Sequence, residues 1–214
     1  MSRETLGTQP IADLLEDVAT GSLAPGGISM AALAGAIATS LVGLVGRLTA
    51  GKPGYEPLTE EMERATERAH VLQEQLLGAM DQEVEAFNQL VQSAGLPRGS
   101  DEEAAIRRDC LRIAVRGYTQ VPLQIGQLSL EIVRLAESAV RYGNREVVAD
   151  GGVAFLAALA AVKGAALHVL LNARGTDEEW AVQARDKAHK WLADLKDLEA
   201  DLWPHLLNQV DGEG

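Results

Sequence analysis

From Gly21 to Gly46 the chain carries no charged residue: GSLAPGGISMAALAGAIATSLVGLVG. The stretch opens on Pro25-Gly26-Gly27 and then runs as a helix from about Ser29 to Thr49. A helix that is apolar all round must be buried all round, in lipid or in protein. A second quiet run, Val153 to Leu171, is interrupted only by Lys163 and His168. Lys163 near its middle argues against lipid, where a charge costs about 3 kcal/mol or more. The first run is rich in Ala, Gly, Ser and Thr, which insert poorly compared with Leu or Phe. Both helices are therefore expected inside protein, with no membrane involved. Ala31, Ala32, Gly35, Ala36 and Ala38 let neighbouring backbones come close. Two such helices are hard to surround within one subunit, so a second copy is expected to cover part of each, making a homodimer.

The rest of the chain has the amphipathic, charged helices of a soluble bundle. A short helix spans about residues 10–19, with Thr8 as a cap, and Gly21 to Gly27 form a loop. AGKPGYEP (Ala50 to Pro57) is a break, and Thr59 starts a long helix ending by Ala94-Gly95. Ser100-x-x-Glu103 is a capping box opening a helix to about Tyr118. Pro122 is expected to interrupt before a further helix to Tyr142. Tyr142 to Gly152 reads as a junction, and Thr176-x-x-Glu179 as a second capping box. The last helix aligns Trp180, Ala184, Ala188, Trp191, Leu195, Leu198 and Leu202 on one face. The expected fold is all-α: one helical-bundle domain over residues 1–214, with six or seven helices and no convincing strand.

The net charge is −12, which argues against a nucleic-acid partner and means that an anionic substrate needs a locally basic pocket. A single cysteine, Cys110, and an acidic N-terminus without an export signal point to a reducing, cytoplasmic setting. Glu67-x-x-His70 has the spacing of one di-iron ligand pair, but Asp186-x-x-His189 lacks the glutamate of a second. No metal site is expected.

The run from Ala24 to Glu56 resembles the start of the cyclodeaminase/cyclohydrolase family. DQEVEAFNQLVQSAGLP (Asp81 to Pro97), the arginines of EEAAIRRDCLRIA, VPL (Val121 to Leu123), YGNREVVADGGVA (Tyr142 to Ala154) and GAALHVLLN (Gly164 to Asn172) extend the likeness. It covers roughly residues 8 to 175 in the family's order. The chain departs from the family pattern where Ile28 replaces a glycine, Gln82-Glu83-Val84 replaces an acidic pair and threonine, Ala149 replaces a serine, and His168 replaces an asparagine. The family includes the cyclodeaminase part of formiminotransferase-cyclodeaminase and the bacterial methenyltetrahydrofolate cyclohydrolases.

The resemblance implies an all-helical homodimer acting on a tetrahydrofolate derivative. Cyclodeaminases close 5-formiminotetrahydrofolate to the methenyl form and release ammonia. Cyclohydrolases open the methenyl bridge with water. Both reactions pass a tetrahedral carbon between two folate nitrogens, and neither needs a metal or redox cofactor beyond the folate itself. The alternative is a diverged, non-catalytic folate-binding or assembly protein on the same bundle.

Glu83 matches the family's acid and would move a proton if burial raised its pKa; otherwise it is a solvated surface glutamate. Asp150 would transfer a proton or bind a pterin nitrogen, or else cap the second quiet helix. Asn144 would bind a substrate amide or stabilise a turn. These three are the catalytic candidates. Gly26 and Gly27 lead a helix N-terminus where a ligand can approach the backbone, and Ser29 reads as substrate-binding with them or, most simply, as the N-cap. Lys52 and Lys163, with Arg47, are candidates for the folate glutamate tail; Lys163 would otherwise snorkel. Asn172 matches a family asparagine and reads as substrate-binding or as a helix C-cap. His168 reads as a core or interface histidine.

Overall fold

The computed structural model describes residues 5–21 and 23–212; of the loop read from Gly21 to Gly27, Ser22 lies outside the described residues. Among the described residues six α-helices form: α1 (Ile11–Ala19), α2 (Gly27–Thr49), α3 (Thr59–Ala94), α4 (Asp101–Tyr142), α5 (Val148–Asn172) and α6 (Glu179–Val210). Short 3-10 turns at Leu6–Thr8, Glu56–Leu58 and Arg145–Val147 lead into α1, α3 and α5. No strand occurs among the described residues.

Small residues set the packing. A Cβ built on Gly46 would lie 3.0 Å from the Met62 carbonyl oxygen, and one on Gly35 would lie 2.8 Å from Leu76. These pairs and Ser29 with Glu83 show α3 running antiparallel to α2. On its other side α5 also runs antiparallel to α2. Gly164 faces Ala31 near the start of α2, and Asn144, just before α5, bonds to Leu48 and Thr49 at its end. Helix α4 packs across this layer, and α6 lies against α5 and α4, with Trp191 seated on Gly126. One apolar cluster takes residues from all six helices, including Leu14, Val42, Leu76, Ile132, Phe155 and Leu202.

Five boundaries differ from those the sequence predicts. Thr8 does not cap α1, whose N-cap position is Pro10 with no side-chain bond. Pro122 does not end a helix; α4 continues through it. Proline costs a helix interior about 3 kcal/mol, but Val121, Pro122 and Ile125 are all buried there, and tertiary packing outweighs that cost. The quiet helix α5 begins at Val148, so Asp150 sits in its first turn and Val147 is the cap position. Ser29 lies inside α2, which is entered from Gly26 without a side-chain cap. Thr176 does not cap α6 either; the helix starts at Glu179, and the Thr176 hydroxyl accepts from the Glu178 N–H. The Ser100–Glu103 capping box forms as read.

Both quiet helices are long and apolar enough to cross a membrane, and only 61% and 50% of their apolar windows are buried. What remains uncovered is ordered. On α2, Met30, Leu33, Ile37, Leu41, Leu44 and Leu48 follow at steps of three and four, and Ile37, Leu44 and Leu48 are exposed. On α5, Val153, Leu156, Leu167 and Leu171 are exposed on one face, with Lys163 standing between the two pairs. A single chain leaves an apolar seam along each helix.

The α3/α4 hairpin outruns the rest. Glu83 is the last buried residue of α3 and Thr119 the first of α4, so residues 84–118 contain none. Glu83 therefore lies at the root of the hairpin, where it meets the start of α2.

Candidate active site

Glu83 is 1% exposed, and each of its oxygens is engaged. The Ser29 hydroxyl donates to Oε2 at 2.8 Å and the Tyr118 hydroxyl to Oε1 at 3.0 Å. The backbone N–H of Gly26 also bonds the carboxylate. Burial raises the Glu83 pKa above the ordinary carboxylate value, while Ser29, Tyr118 and Gly26 pull it back. The Tyr118 phenol is pushed up in turn, by burial and by the neighbouring carboxylate, so it stays protonated and keeps donating. Phe87 packs against the Tyr118 ring with centroids 5.9 Å apart.

The local sequence explains this geometry. Ser29 is the third residue of α2, so its side chain turns towards α3 rather than back over the helix end. Three elements thus converge on one carboxylate: the glycine-led start of α2, α3 through Glu83, and α4 through Tyr118. The last turns of α5 approach the same helix start. A Cβ on Gly27 would lie 2.6 Å from His168 Nε2, so only glycine leaves room for that ring. Burial lowers the His168 pKa and keeps the imidazole neutral at pH 7. His168 is half-buried rather than in the core, and no residue among those described hydrogen-bonds its ring. Asn172, one turn further on the same face of α5, buries its Nδ2 without a partner among the described residues.

A cleft of about 920 Å³ lies between the N-terminal segment and α3. Ala24 and Pro25 of the α2 entry line it, together with Asp13, Asp17, Asp81 and Glu85. Its charge is acidic. A second, smaller pocket of about 490 Å³ is bordered by Arg112, Arg116 and Glu178 on α4 and ahead of α6.

The structure thus brings together Gly26, Gly27, Ser29 and Glu83, with Asn172 on the adjoining helix end. It places the other candidates elsewhere. Asn144 is buried at the far end of α2, about 34 Å away by helix rise. Its Oδ1 accepts from Lys52 Nζ at 2.9 Å and from the Glu146 N–H, and its Nδ2 donates to the Leu48 carbonyl. Within one chain it is a latch joining α2 to the start of α5. Lys52 is engaged there too, paired with Glu146 at 2.7 Å. Asp150 sits at the same far end, on the first turn of α5. Lys163 pairs with Glu199 of α6 at 2.7 Å, with both side chains partly exposed. Periodicity is satisfied by a helix face, but a lysine at its margin finds an acid on the next helix. Tyr118 and Arg116 were not singled out by sequence. A tyrosine 35 residues from its glutamate carries no local signal; only the hairpin register brings the two together.

The sequence profile described as formiminotransferase-cyclodeaminase matches residues 10–190. A methenyltetrahydrofolate cyclohydrolase from Methylorubrum extorquens is 35% identical over 85% of this chain and 87% of its own length. The formimidoyltransferase-cyclodeaminase of Rattus norvegicus is 28% identical over 85% of this chain, which spans 34% of that longer protein. The crystal structure of a formiminotetrahydrofolate cyclodeaminase from Thermotoga maritima superposes with a TM-score of 0.78 at 21% identity, covering 96% of this chain and 97% of that one. The buried carboxylate at a glycine-led helix start thus sits in a fold shared with a cyclodeaminase, in a chain matched by the family profile along most of its length: the protein belongs to the formiminotransferase-cyclodeaminase family.

Proposed function

We propose that this chain is a tetrahydrofolate one-carbon enzyme, and specifically a methenyltetrahydrofolate cyclohydrolase. It opens the 5,10-methenyl bridge with water and yields 10-formyltetrahydrofolate. The observation that carries this assignment is the buried Glu83, held by Ser29, Tyr118 and Gly26 beside an acidic cleft. The reacting carbon of the substrate lies in a delocalised cation between two nitrogens, and a cleft bearing Asp13, Asp17, Asp81 and Glu85 favours that charge. Its volume is that of small-molecule sites generally. The anionic glutamate end of the folate suits Arg116, which borders the second pocket beside Arg112. Hydrolysis is favoured over deamination because the cyclohydrolase relative matches over 87% of its own length.

The reaction leaves the oxidation level of the carbon unchanged, so acid/base groups suffice, without metal or redox cofactor. A cytoplasmic setting accords with the single cysteine.

A homodimer belongs to the same proposal. The exposed apolar residues of α2, and those of α5 on either side of Lys163, offer apolar surface for a second copy. A twofold axis across α2 would reverse that helix in the partner. The Asn144 and Asp150 end of one chain would then lie against the Glu83 end of the other, reuniting candidates that a single chain holds apart.

The test is direct. The purified chain is mixed with methenyltetrahydrofolate and the loss of its ultraviolet absorbance is followed. Hydrolysis well above the buffer rate is expected. Ammonia release from 5-formiminotetrahydrofolate without hydrolysis would transfer the assignment to cyclodeaminase. Neither activity, together with no folate binding by calorimetry, would leave the non-catalytic alternative.

A further inference from the structure

The geometry points to His168, not Glu83, as the group that takes the proton from the attacking water. This rests on the hydrolysis proposed above. Glu83 is poorly free to act as a base: Ser29 and Tyr118 occupy one oxygen each, and Gly26 adds a third donor. Such a carboxylate is suited to fixing the start of α2 and the Tyr118 hydroxyl. The His168 imidazole differs in each respect. It is half-buried, it is held neutral by desolvation, and no described residue occupies its nitrogens. Its Nε2 edge lies against Gly27, two residues from Pro25, which lines the cleft.

A second observation lies on the same face of α5. Asn172 sits one helical turn beyond His168, and its buried Nδ2 has no acceptor among the described residues. Leaving a buried donor unpaired costs about 1–3 kcal/mol. The atom is closed to solvent in the free chain, so a carbonyl or ring nitrogen of a bound substrate would satisfy it only once the side chain is uncovered. His168 and Asn172 therefore offer a proton acceptor and a positioning donor from one face of one helix.

The step balances as follows. Water oxygen bonds to the methenyl carbon while the imidazole accepts one water proton. The tetrahedral alcohol then collapses: the carbon–N5 bond breaks, N5 takes the proton held by the imidazolium, and the remaining hydroxyl proton leaves to solvent. The products are 10-formyltetrahydrofolate and one proton, and His168 ends neutral.

The experiment compares His168→Ala, His168→Gln and wild type by methenyl absorbance, with and without added imidazole, alongside thermal melting. His168→Ala is expected to lose about 100-fold or more in kcat with KM changed less than threefold. Imidazole in solution should restore a substantial part of the loss to the alanine variant and nothing to the wild type. His168→Gln should melt like the wild type and remain slow. Retention of at least a third of the wild-type rate by His168→Gln overturns the assignment. So does a slow, well-folded alanine variant that imidazole fails to rescue. If the alanine variant does not fold, the glutamine variant decides alone. A wild type without hydrolytic activity would instead sink the proposed function.

Discussion

At the scale of the residue, Glu83 illustrates how burial and bonding oppose each other. Desolvation is the largest influence and raises its pKa; three donors offset part of that. A carboxyl whose folded pKa lies above its unfolded one contributes stability that is fully present below the unfolded value, about 4.3. That contribution is lost as pH rises through the folded value. Glutamine at this position never ionises. Urea denaturation of Glu83→Gln and wild type at pH 4.5 and pH 8 should therefore show the variant gaining relative stability at the higher pH. A gap that stays constant or moves the other way would mean that the carboxylate is not penalised by its burial. Asn144 is the opposite case at this scale. It was a catalytic candidate by motif, yet its side chain is occupied in joining Leu48, Lys52 and Glu146.

At the scale of the element, close helix approach governs α2. The Gly46 position faces the Met62 carbonyl at 3.0 Å and the Thr66 hydroxyl nearer still. The hydroxyl can rotate away, but the carbonyl belongs to α3 and moves only with that helix. Gly46→Ala should therefore destabilise the fold by about 1–3 kcal/mol, as overpacking does, measured as a lower urea midpoint. An unchanged midpoint would show that α2 and α3 separate freely. The same packing explains why Pro122 was read as a break and is not one. Local propensity opposes the helix there, while the burial of Val121 and Ile125 holds it.

At the scale of the molecule, the apolar seams of α2 and α5 decide assembly. Leu44→Glu introduces a charge in the middle of the α2 seam. Light scattering should report twice the 22.8 kDa chain mass for wild type at micromolar concentration and one chain mass for the variant. A monomeric wild type would refute the dimer. If the site is shared between chains, Glu83→Gln and Asp150→Asn subunits that are each slow should recover activity when mixed and allowed to exchange. A mixed dimer then holds one site with both native acids. Additive, unrecovered rates would place the acids in separate roles.

The sequence by itself determined that this protein is helical, where most of its helices are separated though not that α4 runs through Pro122, and that α2 and α5 carry almost no charge. Those properties follow from periodicity and from glycine and proline placement, which act over a turn or two of chain. Its glycine-led helix start and Glu83 were also legible, as motif positions. Tertiary structure alone decided what meets Glu83. Ser29 lies 54 residues before it and Tyr118 lies 35 after it, and their meeting depends on the register in which long helices pair. That register is set by small-residue contacts such as Gly35 on Leu76 and Gly27 on His168, each a property of two surfaces rather than of one segment.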